Sequence, residues 1–115
     1  MAKIFVILTK GKDDLNMVNV AANFATSTVK NAGATVNFMF LGRGVENLLK
    51  DSNGIKPVAD LVSQMKAAGI EVTYCKVSAK GIGLMESQLL DGIEPVMGGV
   101  QTAKEVDAGF SVVTF

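Results

Sequence analysis

Short apolar runs rich in β-branched and aromatic residues alternate along this chain with segments of helical periodicity. The first run, Ile4-Phe5-Val6-Ile7-Leu8, is apolar without a break. That is the pattern of a strand buried on both faces in the middle of a parallel sheet. Strand and helix in turn, rather than strands in succession, give parallel strands joined by crossover helices. At 115 residues the chain has the length of one domain and too little for two cores. Residues 1–115 are therefore expected to form a single domain.

The periodicities place the elements. Residues 3–9 read as strand one. A helix is expected over about 14–31, with Asp13 or Asp14 as its cap and Gly33 as its stop. Leu15, Val18, Ala22, Ala25 and Val29 form one helical stripe. Met17, Val20, Ala21 and Phe24 widen it past a usual face. That breadth has two readings: tight packing on the sheet, or a second stripe packed on another subunit. Residues 34–41 read as strand two, closed by Gly42-Arg43-Gly44, with a short helix over 44–50. Asp51-Ser52-Asn53-Gly54 is a turn signal. Pro57 suits the first turn of the next helix, in which Val58, Leu61, Val62, Met65 and Ala68 keep helical spacing up to Gly69. Residues 70–77 read as strand three, and Ser78 as the cap of a short helix reaching about Leu90. A brief strand at 95–97, a helix opened by Gly98-Gly99 and a last strand over 110–115 complete the chain. Right-handed crossovers then place helices on both faces. The expected fold class is α/β, a three-layer α/β/α sandwich around a mainly parallel five-stranded sheet.

Composition removes several functions. Lys+Arg and Asp+Glu cancel at 11 each, so no basic stripe speaks for nucleic acid or for a polybasic membrane contact. The opening apolar run is too short for a signal-peptide core or a membrane span. With a single cysteine, this points to a reducing compartment, the cytoplasm by default. The chain has no histidine. A Ser-His-Asp or Cys-His pair is impossible within it, and zinc or iron would lack its commonest ligand. No metal and no cofactor are expected. Covalent chemistry is left to Cys75, a lysine, or a serine or threonine without imidazole help.

In open α/β sheets ligands bind beyond the C-terminal ends of the strands. The loops expected there are residues 10–12, 42–44, 75–83 and 98–99. Cys75 closes strand three in line with Glu71 and Thr73, the more polar side, while Ile70, Val72 and Tyr74 take the other. It reads either as a reactive thiol or as a buried structural one. Lys76, Lys80 and a helix start at Ser78 would favour the thiolate, the nucleophilic form; the lysines read equally as solvated charges. Gly42-Arg43-Gly44 and Gly98-Gly99 are candidate anion cradles, although tight-turn geometry is the favoured reading of both. Neither is a dinucleotide fingerprint, and residues 9–12 are no P-loop. Met85 and Met97 read as core or interface residues.

The order of these pieces resembles the DsrE/DsrF-like family, small α/β proteins of sulfur relay and sulfur oxidation. The resemblance lies in the strand Ile4 to Leu8, the long first helix, and Phe40-Leu41-Gly42-Arg43-Gly44-Val45. It continues through Ala68-Gly69-Ile70-Glu71-Val72 to Cys75-x-x-Ser78, then Leu90-Asp91-Gly92-Ile93, Met97-Gly98-Gly99 and Val112-Val113-x-Phe115. It spans essentially the whole chain. It implies a persulfide carried on Cys75 and passed between a donor and an acceptor protein, and a homo-oligomer, trimer or hexamer. Relay members tend to carry arginines after the cysteine, where this chain has Lys80-Gly81-Ile82-Gly83. Beside the sulfur-relay reading stands a non-catalytic assembly module on the same fold, with a structural Cys75. A thiol peroxidase is weaker, because the chain holds no resolving cysteine.

Overall fold

Five parallel strands form one sheet in the order β4-β3-β2-β1-β5. The structure, a computed structural model, describes residues 1–115. Strand β1 (Lys3–Leu8) lies inside the sheet, and β2 (Thr35–Phe40), β3 (Glu71–Cys75) and β4 (Glu94–Val96) step outward from it on one side. The chain then crosses back to place β5 (Ser111–Thr114) on the other side of β1. Helices α1 (Leu15–Ala32) and α2 (Ile55–Ala67) make the outward crossovers, and α4 (Gly98–Asp107) makes the return. Because right-handed crossovers in opposite directions fall on opposite faces, α4 covers the face that α1 and α2 leave. The result is the expected three-layer α/β/α arrangement. No helix is long and apolar enough to cross a membrane.

The two faces are unequal. Alternating side chains of each strand divide between them. Val6, Leu8, Val36, Phe38, Phe40, Val72 and Tyr74 meet Val18, Ala21, Ala22, Ala25, Val58, Val62 and Met65 in one cluster of 21 buried residues. The opposite cluster holds three buried residues, Phe5, Ile7 and Met39, with Leu41, Val96 and Phe110 packed beside them. Most of the burial that drives folding is therefore on the α1/α2 side.

Several boundaries follow local chemistry. The Asp14 carboxylate accepts from the Met17 amide at 3.1 Å and caps α1. Gly33, at φ 65°, closes that helix in the left-handed region that suits glycine. In α1 both stripes are divided by the fold. Ala21 is buried with Val18, Ala22 and Ala25, whereas Val20, Phe24 and Leu15 are exposed. The segment after β2 is a 3-10 turn over Gly42–Leu48, not a helix over 44–50. Buried Asn47 ties this turn down by donating to the carbonyls of Lys10 and Gly44 at 2.8 and 3.0 Å.

Strand three ends sooner than its pattern suggests. Cys75 is its last residue, and α3 (Lys76–Gly81) begins at the next one. The cap is thus Cys75 and not Ser78. Nor does this helix run to Leu90: Gly81 ends it, Gly83 turns the chain at φ 79°, and a 3-10 turn over Glu86–Gln88 follows. Two glycines within three residues remove the side chains that would hold another turn of helix.

Gly44 marks the closest backbone approach, since a Cβ there would lie 2.1 Å from the Leu8 carbonyl oxygen. Gly44→Ala is expected to lower stability by about 1–3 kcal/mol through backbone displacement. Urea unfolding followed by circular dichroism checks this, and Gly99→Ala, where nothing lies within 4 Å, should leave the midpoint nearly unchanged.

Candidate functional site

At the C-terminal edge of the sheet, β3 ends in a residue that is both the last of a strand and the cap of a helix. Cap positions usually carry Ser, Thr, Asp or Asn, whose oxygen accepts a free amide of the first turn. Here the acceptor is sulfur: Cys75 Sγ takes the Ser78 N–H at 3.4 Å. A thiolate accepts such bonds far better than a thiol, so the position favours ionisation.

A second helix start closes on the same atom. In parallel register with Cys75, Val96 ends β4, and the chain turns through Met97 into α4. Gly98, the first residue of α4, lies against the sulfur, and its amide favours the thiolate. A Cβ on Gly98 would lie 3.0 Å from Cys75 Sγ and 2.9 Å from Leu41 Cδ1. Only glycine lets the helix N-terminus come this close.

The third contribution comes from β2. Leu41 borders the site, and the Gly42 N–H donates to Ser78 Oγ at 2.9 Å. The Ser78 hydroxyl, whose oxygen accepts from Gly42, also favours the Cys75 thiolate. Burial is the largest influence on the thiol and pushes it up. The Ser78 hydroxyl and the amides of Ser78, Gly98 and Val77 push it down, and together they prevail, holding Cys75 below the ordinary thiol range. Such sites at helix N-termini make a cysteine nucleophilic.

The structure brings Cys75, Ser78, Gly42 and Gly98 together and leaves the other candidates apart. Lys76 and Lys80 are exposed, and the donors acting on the sulfur are amides and a hydroxyl, not ammonium groups. Arg43 pairs with Glu46 at 3.4 Å and Asp13 at 3.9 Å. Gly42 donates to Ser78 and Gly44 to the Leu41 carbonyl at 2.9 Å, so these two amides are engaged within the protein as a tight turn engages them. Gly99 is exposed at the second position of α4, beside the sulfur's donor Gly98. No group of three or more His, Cys, Asp or Glu side chains is placed to hold a metal ion.

Two expectations need correction. The side of β3 carrying Glu71, Thr73 and Cys75 is the more polar one, but it is exposed at Glu71 alone. Thr73 and Cys75 are buried, and Thr73 satisfies its hydroxyl on the Phe38 carbonyl at 3.2 Å. Nor is the sulfur open at the rim: Cys75 is 4% exposed. Its surroundings are amide and hydroxyl donors as well as Leu41, and the segment over it is itself exposed at Met97 and Gly99. Sequence reasoning missed the Val77 amide and Leu41. The signal for the close contact was present in Gly98, a glycine opening a helix directly after a strand.

Residues 2–115 match the DsrE/DsrF-like family. The chain belongs to that family. Among solved structures, it resembles the ychN protein of E. coli, with a TM-score of 0.79, 18% identity and 100% of both chains covered. A protein of unknown function from Methanobacterium thermoautotrophicum matches with a TM-score of 0.77, 16% identity and full coverage of both chains. A conserved protein of unknown function from Bacteroides thetaiotaomicron matches at 0.76 and 18%, over 98% of this chain and 94% of that one. At these identities the likeness is one of fold. No curated protein matches the chain.

Ser78→Ala removes the hydroxyl donor and keeps the backbone amide. Loss of one hydrogen bond to a charged acceptor should raise the Cys75 midpoint by about one pH unit. The pH profile of iodoacetamide alkylation reads this directly; an unchanged profile would remove Ser78 from the site.

Proposed function

We propose that residues 1–115 act as one DsrE/DsrF-like domain that carries a persulfide on Cys75 and passes the sulfur between partner proteins, a sulfurtransferase role in a reducing compartment such as the cytoplasm. The observation that carries this reading is the convergence of two helix N-termini and the Ser78 hydroxyl on one sulfur atom. No histidine is required, and the chain has none.

The chemistry balances without a cofactor. The Cys75 thiolate attacks the outer sulfur of a donor persulfide. A new S–S bond forms at Sγ, the donor's S–S bond breaks, and the donor leaves as a thiolate that takes up a proton. The acceptor's thiolate then attacks the outer sulfur of the Cys75 persulfide and returns Cys75 to its starting form. Both steps follow thiol–disulfide exchange, with no net oxidation. The donor amides that hold the thiolate also hold it as a leaving group, since a lower thiol value leaves faster.

With 4% of Cys75 exposed, the transfer requires the α4 start at Met97–Gly99 to move aside when a partner docks. Val77, Met97 and Val100, each within two residues of Cys75 or Gly98 in the chain, are exposed and offer an apolar surface for such a partner. The exposed Val20 and Phe24 of α1 support assembly of several copies, which sedimentation would refute by returning the mass of one chain.

The same closure favours one alternative, an assembly module in which Cys75 is inert. Incubation with polysulfide or a donor persulfide, followed by intact-mass analysis, separates the two. The relay reading predicts a gain of one sulfur atom in the wild type and none in Cys75→Ser. A native thiol that accepts no sulfur from any donor, and is alkylated only after unfolding, would leave the assembly module.

A further inference from the structure

Helix α4 is built inside out. Its residues facing the sheet, at helical spacing, are Gly98, Gln101, Thr102 and Glu105, and not one is a large apolar side chain. Gly98 and Glu105 are the two buried positions of the helix, while Val100 and Val106 face outward and are exposed. A helix normally holds its place through an apolar stripe on the core. This one lacks it, so its position depends on specific polar contacts.

Those contacts are few. The Thr102 hydroxyl donates within the helix to the Gly98 carbonyl at 2.8 Å, and Gln101 donates to Glu105 at 2.9 Å. The side-chain hydrogen bonds from α4 to the sheet come from one residue pair. Asn37 Nδ2 of β2 donates to both carboxyl oxygens of Glu105, at 3.0 and 2.9 Å. Glu105 is 6% exposed and forms no ion pair. A carboxyl group so placed is costly unless its bonds are made, so the contact fixes the helix tightly where it forms.

The geometry ties this pair to the cysteine. Asn37 is level with Glu71 on β3, and Cys75 lies four residues further along that strand, about 13 Å on. Glu105 lies seven residues from Gly98, about 10 Å along the helix. Helix α4 therefore runs back across the strands, pinned at one end by Glu105 on Asn37 and closing at the other with Gly98 on Cys75. We propose that Asn37 and Glu105 are positioning residues for Cys75, a clamp on the far end of α4 that holds its N-terminal amide against the sulfur. The inference builds on the reading of Cys75 as the sulfur carrier.

The clamp is tested by the thiol midpoint, read from thiolate ultraviolet absorbance against pH in the full chain. Asn37→Ala and Glu105→Ala should each raise the midpoint by about 0.5–1 pH unit, because the Gly98 donor is no longer held in place. Glu105→Gln, which can still accept from Asn37, should restore most of the wild-type value. It also keeps the test decisive if Glu105→Ala fails to fold. Val62→Ala, in the core of the opposite face, should lower stability in urea without moving the midpoint. Clamp variants that fold, lose stability and keep the wild-type midpoint would overturn the proposal, as would Glu105→Gln behaving like Glu105→Ala. Persulfide loading of the wild type is scored separately. A clamp that moves the midpoint in a protein that accepts no sulfur upholds the positioning role and rejects the relay. Loading with an immovable midpoint does the reverse.

Discussion

The chemistry proposed for this protein depends on a sulfur atom placed where a strand becomes a helix. Ordinary caps carry an oxygen that satisfies the first amides of the helix. Substituting a thiol at that place turns a structural requirement into an electrostatic one, because the unpaired N–H groups now bias a titratable acceptor. In Cys75 the effect is doubled by a second helix, α4, whose first residue is a glycine and can approach the sulfur directly. Burial works against the thiolate, and the donors outweigh it.

The position of the site follows from the asymmetry of the fold. The α1/α2 face holds the large apolar cluster and carries most of the stabilisation. The α4 face has a core of three buried residues and a helix whose inward stripe is polar. A thinly packed helix secured by directed hydrogen bonds is better suited to holding one amide in place, and to yielding it, than one locked by side-chain interdigitation. The proposed site thus lies on the more thinly packed layer of the sheet.

Much of this was legible in the residues. The unbroken run Ile4 to Leu8 forecast a central parallel strand, and Asp14 and Gly33 bounded α1 through cap chemistry that acts within a few residues. Cys75, Ser78 and Gly98 were visible as candidates for the same reason. The end of β3 was harder to place, because Lys76 and Val77 extend an apparent strand pattern that the sulfur cap interrupts. The surroundings of Cys75 were legible only at Ser78 and Gly98. A thiol in line with Glu71 and Thr73 looks solvent-facing until a crossover helix is laid over it, and that depends on contacts far apart in sequence, such as Asn37 with Glu105. Likewise, proximity in sequence suggested Lys76 and Lys80 as the activating charges. The fold replaces them with amides from two helix starts, those of α3 and α4, and with the Ser78 hydroxyl.

The central claim is that amide and hydroxyl donation in the folded protein lowers the Cys75 thiol below its unfolded value. Its most direct test is a titration of the Cys75 Cβ chemical shift by carbon NMR in the native protein, beside the same residue in urea. The account predicts a native midpoint below the unfolded one. A native midpoint at or above the unfolded value would mean that burial wins over the donors, and would contradict it.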